Sequence, residues 1–110
     1  MTKFPSAAVA ILLAATMSAT GPVSAQTHTD ESCALLASTA GTIMKNRQQG
    51  VPLADMIRRA STGSDKRTNE LIRKIVIEAY ETSLFLSERA QQREQTEFEN
   101  RWLLWCYANR

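Results

Sequence analysis

The two cysteines of the 110-residue chain, Cys33 and Cys106, are the residues whose chemistry the sequence defines most clearly. A catalytic thiol needs a neighbouring base, and the only histidine, His28, lies outside the body of the chain. A zinc site needs more cysteine or histidine ligands than the chain offers. We therefore predict one disulfide bond between Cys33 and Cys106. A dimer linked through Cys106 has the same composition, so this alternative stays open.

Carboxylates form the second group that could do chemistry, in the segment that contains Glu94, Glu97 and Glu99. Arg89 and Arg93 precede them, and Glu97 precedes Arg101 by four residues, the spacing of ion pairs on the surface of a helix. A solvated helix face therefore explains these acids better than an acid–base site. Without a histidine there is no Ser-His-Asp set, and no glycine-rich phosphate loop occurs. We expect no enzyme activity, no cofactor and no metal.

The N-terminus has the pattern of a secretory signal peptide, with Lys3 followed by an uncharged apolar run from 7 to 17. Gly21 and Pro22 interrupt this run, and small residues follow up to Ala25. We predict cleavage after Ala25, so residues 1–25 are removed and residues 26–110 form the mature protein. The apolar run is too short to cross a bilayer, and no integral membrane anchor is expected.

Removal of 25 of the 110 residues leaves 85, which is enough for a single domain. The mature chain carries 12 basic and 11 acidic residues, so a nucleic-acid partner is not expected. Export favours disulfide formation, and a bridge that closes most of the chain would stabilise it by about 4 kcal/mol in the loop-entropy model.

Periodicity predicts an all-α fold, a small bundle of three long helices and one short helix closed by the disulfide. The first helix is predicted over 31–48, with Thr29 or Asp30 as its cap. Gly50 and Pro52 separate it from a short second helix that ends at Ala60. A turn over 61–65 leads to a third helix, capped by Ser64 or Thr68 and ending near Ser83, and Ser87 caps a last helix over 87–110.

Apolar side chains recur every three or four residues in each predicted helix, which defines the expected core. On the last helix this stripe contains both tryptophans of the chain. We predict a packed connector at 84–86, in preference to an exposed apolar docking loop. The predicted core residues are Leu36, Ile43, Ile57, Ile72, Ile75, Tyr80, Phe98, Trp102 and Trp105.

Charge is segregated along the chain, which draws attention to possible contact surfaces. Residues 58–74 contain six basic and two acidic side chains, and residues 78–99 contain six acidic and two basic ones. Either the two regions face each other within the bundle, or the basic turn between the second and third helices docks on an acidic partner. Leu103 and Leu104 lie outside the apolar stripe, so they either widen the core or form an exposed apolar patch. The candidate partner surface is therefore Arg58, Arg59, Leu103 and Leu104.

Three short motifs resemble a group of small exported helical proteins of proteobacteria and their phages. They are residues 47–53 (Arg-Gln-Gln-Gly-Val-Pro-Leu), residues 79–81 (Ala-Tyr-Glu) and residues 98–107, which end in Trp-Cys-Tyr. The resemblance covers nearly the whole mature chain. It implies export and a helical fold, but no activity is assigned to that group, so no functional residues follow from it.

These observations predict a non-enzymatic periplasmic or secreted interaction protein, encoded by a phage or prophage, that binds or modulates a protein of the cell envelope. The alternative is a small periplasmic stress chaperone that opens at low pH and exposes apolar surface. Eleven acidic residues in the mature chain permit acid-driven opening without indicating it. The sequence leaves the oligomeric state undefined.

Overall fold

In the computed structural model, residues 29–109 are described, and they form four α-helices. The helices are α1 (Asp30–Gln48), α2 (Leu53–Ala60), α3 (Lys66–Glu81) and α4 (Glu88–Ala108). No strand occurs within these residues, so the all-helical prediction is confirmed. The predicted signal peptide and its cleavage after Ala25 lie outside the described residues.

Polar side chains begin three of the helices. Thr29 and Ser87 accept hydrogen bonds from backbone N–H groups of α1 and α4, as the sequence predicts. The predicted cap of α3 is wrong: Asp65, not Ser64 or Thr68, accepts from the backbone of Arg67. Thr68 instead donates to the second Asp65 oxygen at 2.7 Å, and this bond lowers the pKa of the Asp65 carboxyl. The Asp65 carboxylate has two oxygens and a full charge, so it satisfies both donors.

Helix α1 is the element on which the other long helices pack. It contacts both α3 and α4, whereas α2 packs mainly on α3. Cys33 near the start of α1 meets Cys106 near the end of α4, so these two helices are antiparallel. Leu36 of α1 shares a cavity wall with Leu71 of α3, and Arg47 near the end of α1 lies over the ring of Tyr80 near the end of α3. Helices α1 and α3 therefore run in the same direction, and α4 runs opposite to both.

The buried core joins all four helices. Four of the predicted core residues, Ile43, Ile75, Phe98 and Trp102, are buried in it. Four others are partly buried against its edge: Leu36, Ile57, Ile72 and Tyr80. The prediction for Trp105 is wrong, since its side chain is 37% exposed. Trp105 lies only about 20° around α4 from the buried Phe98, so its exposure comes from incomplete cover by the neighbouring helices and not from its position around α4.

The predicted disulfide is confirmed, and it lies within one chain. Cys33 and Cys106 are joined across 73 positions of sequence, and both are buried. The bond fastens the start of α1 to the end of α4. It leaves no free cysteine among the described residues.

Gly41 lies in the middle of α1, where glycine lowers helix stability by about 1 kcal/mol relative to alanine. The residue is buried, and a Cβ atom added to it would overlap the side chain of Glu99 from α4. Helix α4 therefore approaches α1 closely at this position. The absence of a side chain at Gly41 gives the Glu99 side chain room to lie across α1.

Hydrogen bonds from α1 hold the opposite end of the molecule, where α3 turns into α4. Gln48 is the only buried polar residue in the described part of the chain. Its side chain donates to the carbonyl of Ser83 at 2.9 Å and accepts from the N–H of Phe85 at 2.8 Å. Arg47 donates to the carbonyl of Thr82 at 3.1 Å. We call this set of contacts, Arg47 and Gln48 with the backbone of 82–85, the junction.

Tyr80 and Gln91 extend the junction to both sides. The Tyr80 hydroxyl donates to the carbonyl of Val51, and its ring lies 5.0 Å beneath the Arg47 guanidinium. Burial raises the pKa of this hydroxyl, which keeps it a donor. Gln91 donates to the carbonyl of Phe85 at 2.6 Å. Gly50, between Arg47 and Val51, has φ +84°, a backbone conformation that favours glycine.

The prediction of a packed connector at 84–86 is wrong for two of its three residues. Phe85 is partly buried, but Leu84 is half exposed and Leu86 is fully exposed. The reason is that the backbone of this segment is held by polar side chains of α1 and α4. Its leucine side chains are therefore not needed to hold it in place and point away from the core.

Reduction of the disulfide is expected to destabilise the fold severely. Loss of a bridge across 73 residues removes about 4 kcal/mol in the loop-entropy model, a large share of the net stability of a small domain. Urea denaturation of the oxidised protein, with and without reductant, measures this loss. The Cys33→Ser, Cys106→Ser variant is the control, because reductant has no target in it. Equal stability of the oxidised and reduced proteins would contradict the prediction.

Replacing Gln48 by alanine is expected to lower the free energy of unfolding by about 2–3 kcal/mol, because it leaves Phe85 N–H and Ser83 C=O without their partner. Gln49→Ala is the matched control, since Gln49 is exposed and adjacent in sequence. We expect it to change stability by less than about 0.5 kcal/mol. Limited proteolysis should also cut the 82–87 segment faster in Gln48→Ala only. Equal effects of the two substitutions would show that the junction does not hold this segment.

Candidate functional site

A cleft between α3 and α4 is the largest concave surface of the described residues. Both helices pack on α1, but they make no extensive contact with each other. The cleft has a volume of about 710 Å³ and is lined by Leu71, Lys74, Ile77, Glu78, Glu81, Thr82, Arg101, Trp102 and Trp105. This volume lies within the range of ligand-binding clefts. We call it the α3–α4 cleft.

Apolar side chains form the centre of the α3–α4 cleft. Trp102 forms part of its wall and is 6% exposed, and Trp105 packs edge-on against Trp102 with ring centroids 5.4 Å apart. Ile77 on the α3 side is 43% exposed. Trp105 was expected in the core but lines the cleft and is 37% exposed. The cleft thus presents an aromatic and an aliphatic side chain to solvent on opposite walls.

Four charged side chains surround this apolar centre. Glu78 of α3 and Arg101 of α4 form an ion pair across the cleft at 3.0 Å. Both are substantially exposed, so this pair contributes less than about 1 kcal/mol to stability. Lys74 and Glu81 lie on the α3 wall to either side of Glu78 and are exposed. The cleft therefore offers a cation at one end and a carboxylate at the other.

The indole N–H of Trp102 is a buried donor without a hydrogen-bond partner among the described residues. Leaving such a donor unpaired costs about 1–3 kcal/mol. The indole is kept in this position by its packing against the core rather than by polar contacts. Trp102 therefore contributes to the stability of the cleft wall despite an unsatisfied polar atom.

The structure separates the four residues predicted as a partner surface. Arg58 and Arg59 are exposed on α2, where Arg58 pairs with Asp55. Leu104 is 69% exposed on α4, whereas Leu103 is only partly buried. Helices α2 and α4 make no extensive contact with each other. The arginines and the leucines therefore do not form one surface, and none of the four lines the α3–α4 cleft.

The two charged regions predicted from the sequence are not joined by the ion pairs that the structure contains. These pairs are Asp55–Arg58, within α2, and Glu78–Arg101, between α3 and α4. The first lies outside the acidic region, and Arg101 lies outside the basic one. Lys74, which belongs to the basic region, lies in the wall of the α3–α4 cleft.

Sequence reasoning missed the role of Lys74, Ile77 and Glu78 in this cleft. Lys74 belongs to the basic region of the sequence and Glu78 to the acidic one, and their helical spacing alone does not show that they border a cleft. Ile77 did carry a signal, since it falls off the regular apolar stripe of its helix. The missing information was that α3 and α4 stay apart, which depends on how both pack on α1.

Two further properties bear on what the described residues can do. No three His, Cys, Asp or Glu side chains within 29–109 come together as metal ligands would. No helix in the same part of the chain combines the length and hydropathy needed to cross a membrane.

Comparison with protein-family models, curated proteins and solved structures finds no match to this chain. The α3–α4 cleft is therefore interpreted from its own residues.

The two tryptophans are expected to differ in their effect on stability. Trp102→Ala should lower the free energy of unfolding by about 3–5 kcal/mol, because it opens a cavity in the core. Trp105→Ala should lower it by about 2 kcal/mol, since its side chain is only partly covered and its removal leaves no enclosed cavity. Urea denaturation followed by circular dichroism measures both. Each variant keeps one tryptophan, and the emission of Trp102 should lie at a shorter wavelength than that of Trp105. Equal losses of stability would contradict the proposed geometry.

Proposed function

We propose that this chain is a non-enzymatic exported protein that binds and modulates a protein of the cell envelope through the α3–α4 cleft. The observation that carries the proposal is the partly exposed Trp105 in a cleft of about 710 Å³. A tryptophan is among the residue types that contribute most to protein–protein binding. Its exposure in a small domain costs free energy that a bound partner would recover.

Export is supported by three observations of different kinds. The disulfide requires an oxidising compartment to persist, since thiols are kept reduced in the cytosol. Residues 1–25 have the pattern of a signal peptide. The motifs at 47–53, 79–81 and 98–107 resemble small exported proteins of proteobacteria and their phages. A periplasmic or secreted location is the simplest account of all three.

Binding is favoured over catalysis by the side chains that line the cleft. An enzyme site needs a nucleophile, or an acid and a base placed beside a reacting group. Among the lining residues, Glu78 is engaged by Arg101, and Lys74 and Glu81 are exposed side chains on the rim. Besides the charged residues, the lining consists of Leu71, Ile77, Trp102, Trp105 and one hydroxyl side chain, Thr82. Such a lining suits an apolar anchor from a partner.

Affinity capture from envelope extract tests the proposal. Tagged, oxidised mature protein is expected to retain one specific protein at neutral pH. Trp105→Ala is expected to reduce the amount retained at least fivefold, because it removes the exposed aromatic anchor. Leu104→Ala is the matched control, since Leu104 is the adjacent exposed residue but does not line the cleft. Circular dichroism verifies that both variants are folded.

Three other outcomes are informative. Loss of the partner with Leu104→Ala alone would place the binding surface on the outer side of α4, as one sequence-based alternative suggests. Capture of no protein at neutral pH would contradict an envelope partner. Retention of many proteins only after acidification would favour the stress-chaperone alternative, in which acid opening exposes apolar surface.

A further inference from the structure

The residues that line the α3–α4 cleft form two facing stripes on antiparallel helices. On α3 the stripe contains Leu71, Lys74, Glu78 and Glu81, which follow one another at steps of three and four residues. On α4 it contains Arg101, Trp102 and Trp105. The α3 stripe is about 15 Å long, because each residue of a helix advances the axis by 1.5 Å.

We propose that the occupant of the α3–α4 cleft is an amphipathic α-helix of the partner protein. Its apolar stripe packs on Ile77 and Trp105, an acidic residue faces Lys74, and a basic residue about two turns away faces Glu81. This inference rests on the proposed function and specifies the partner chemistry that it requires.

The secondary structure of the host favours a helix as the occupant. Peptides that bind by adding a strand need the free edge of a sheet, and the described residues contain no strand. Helices instead recognise one another by packing side chains between neighbouring ridges. Because α1 already carries α3 and α4 on separate sides, a helix laid over the cleft between them would bring the number of long helices to four.

Charge specifies the occupant further. Glu78 and Arg101 neutralise each other in the middle of the cleft, which leaves Lys74 and Glu81 to interact with a ligand. These two residues are seven positions apart on α3, a separation of about 10 Å. A partner helix with one acid and one base at the same separation meets both charges. Since a helix can enter in either direction, the order of its acid and base along the sequence is not specified.

The experiment uses three synthetic helical peptides of about 18 residues that share one leucine stripe. The first carries Glu and Lys seven positions apart, the second carries Lys at both positions and the third carries Glu at both. Binding to the folded, oxidised mature protein is followed by the two indole N–H resonances, from Trp102 and Trp105, the only tryptophans of the chain. We expect the mixed peptide to bind tightest and to shift both resonances.

Charge reversal on the protein provides the decisive comparison. Lys74→Glu makes the charges at both ends of the cleft negative. It should therefore lower the affinity of the mixed peptide about fivefold and raise the affinity of the Lys/Lys peptide about fivefold. Arg73→Glu is the matched control, because Arg73 is the preceding exposed residue of α3 but does not line the cleft. It makes the same change in net charge and is expected to leave the order of the peptides unchanged.

Several results would overturn the proposal. One is peptide binding that leaves both indole resonances unshifted. Another is an equal change in peptide affinity on Lys74→Glu and on Arg73→Glu. A third is that no peptide binds. Sedimentation equilibrium of the protein alone tests a second copy as the occupant. If the protein is a dimer and Trp105→Ala makes it dissociate, the occupant of the cleft is a second copy of this chain and not a partner helix.

Failure of this inference is distinguishable from failure of the proposed function. If one envelope protein is captured through Trp105 but no helical peptide binds, the partner uses another structure and only the inference is wrong. If the peptides bind as expected but no envelope protein is captured, the cleft recognises helices and the proposal of an envelope partner is wrong.

Discussion

The pairing of α1 with α4 is the constraint on which the rest of the structure depends. It is fastened at one end by the buried Cys33–Cys106 bond and at the other by Gln48, whose amide binds the backbone at Ser83 and Phe85. Between these ends, Phe98 and Trp102 of α4 are buried in the core, and Glu99 lies over Gly41. A covalent bond and a saturated buried amide thus fix the relative position of two long helices in a small domain.

The open cleft is a consequence of this pairing. Helix α3 packs on α1 and is held at its end by Arg47 and the Tyr80–Val51 hydrogen bond. With both α3 and α4 attached to α1, no strong contact remains between them apart from the exposed Glu78–Arg101 pair. Trp105 is therefore left partly uncovered at the margin of the core. The same packing that stabilises the fold creates the surface to which we assign binding.

The motifs at 47–53 and 98–107 have a structural explanation in this chain. Arg47 and Gln48 supply the junction, Gly50 has the positive φ that the turn after α1 requires, and Val51 accepts from Tyr80. The motif at 98–107 supplies the core residues of α4 and the second cysteine. These segments therefore serve the fold, whereas Lys74, Ile77 and Glu78 of the cleft lie outside all of them.

The sequence by itself determined the helices and two of their caps, because these depend on local spacing and on single side chains. A cysteine count of two predicted a disulfide, and the tertiary structure decided that it lies within one chain. It also identified Ile43, Ile75, Phe98 and Trp102 as core, since each lies at the centre of an apolar stripe. Only the tertiary structure decided that Trp105 is exposed, that Leu84 and Leu86 leave the core, and that Lys74 borders a cleft. The reason is that residues at the margin of a stripe are buried or exposed according to whether a neighbouring helix reaches them, and the distance between α3 and α4 is set by how each packs on α1.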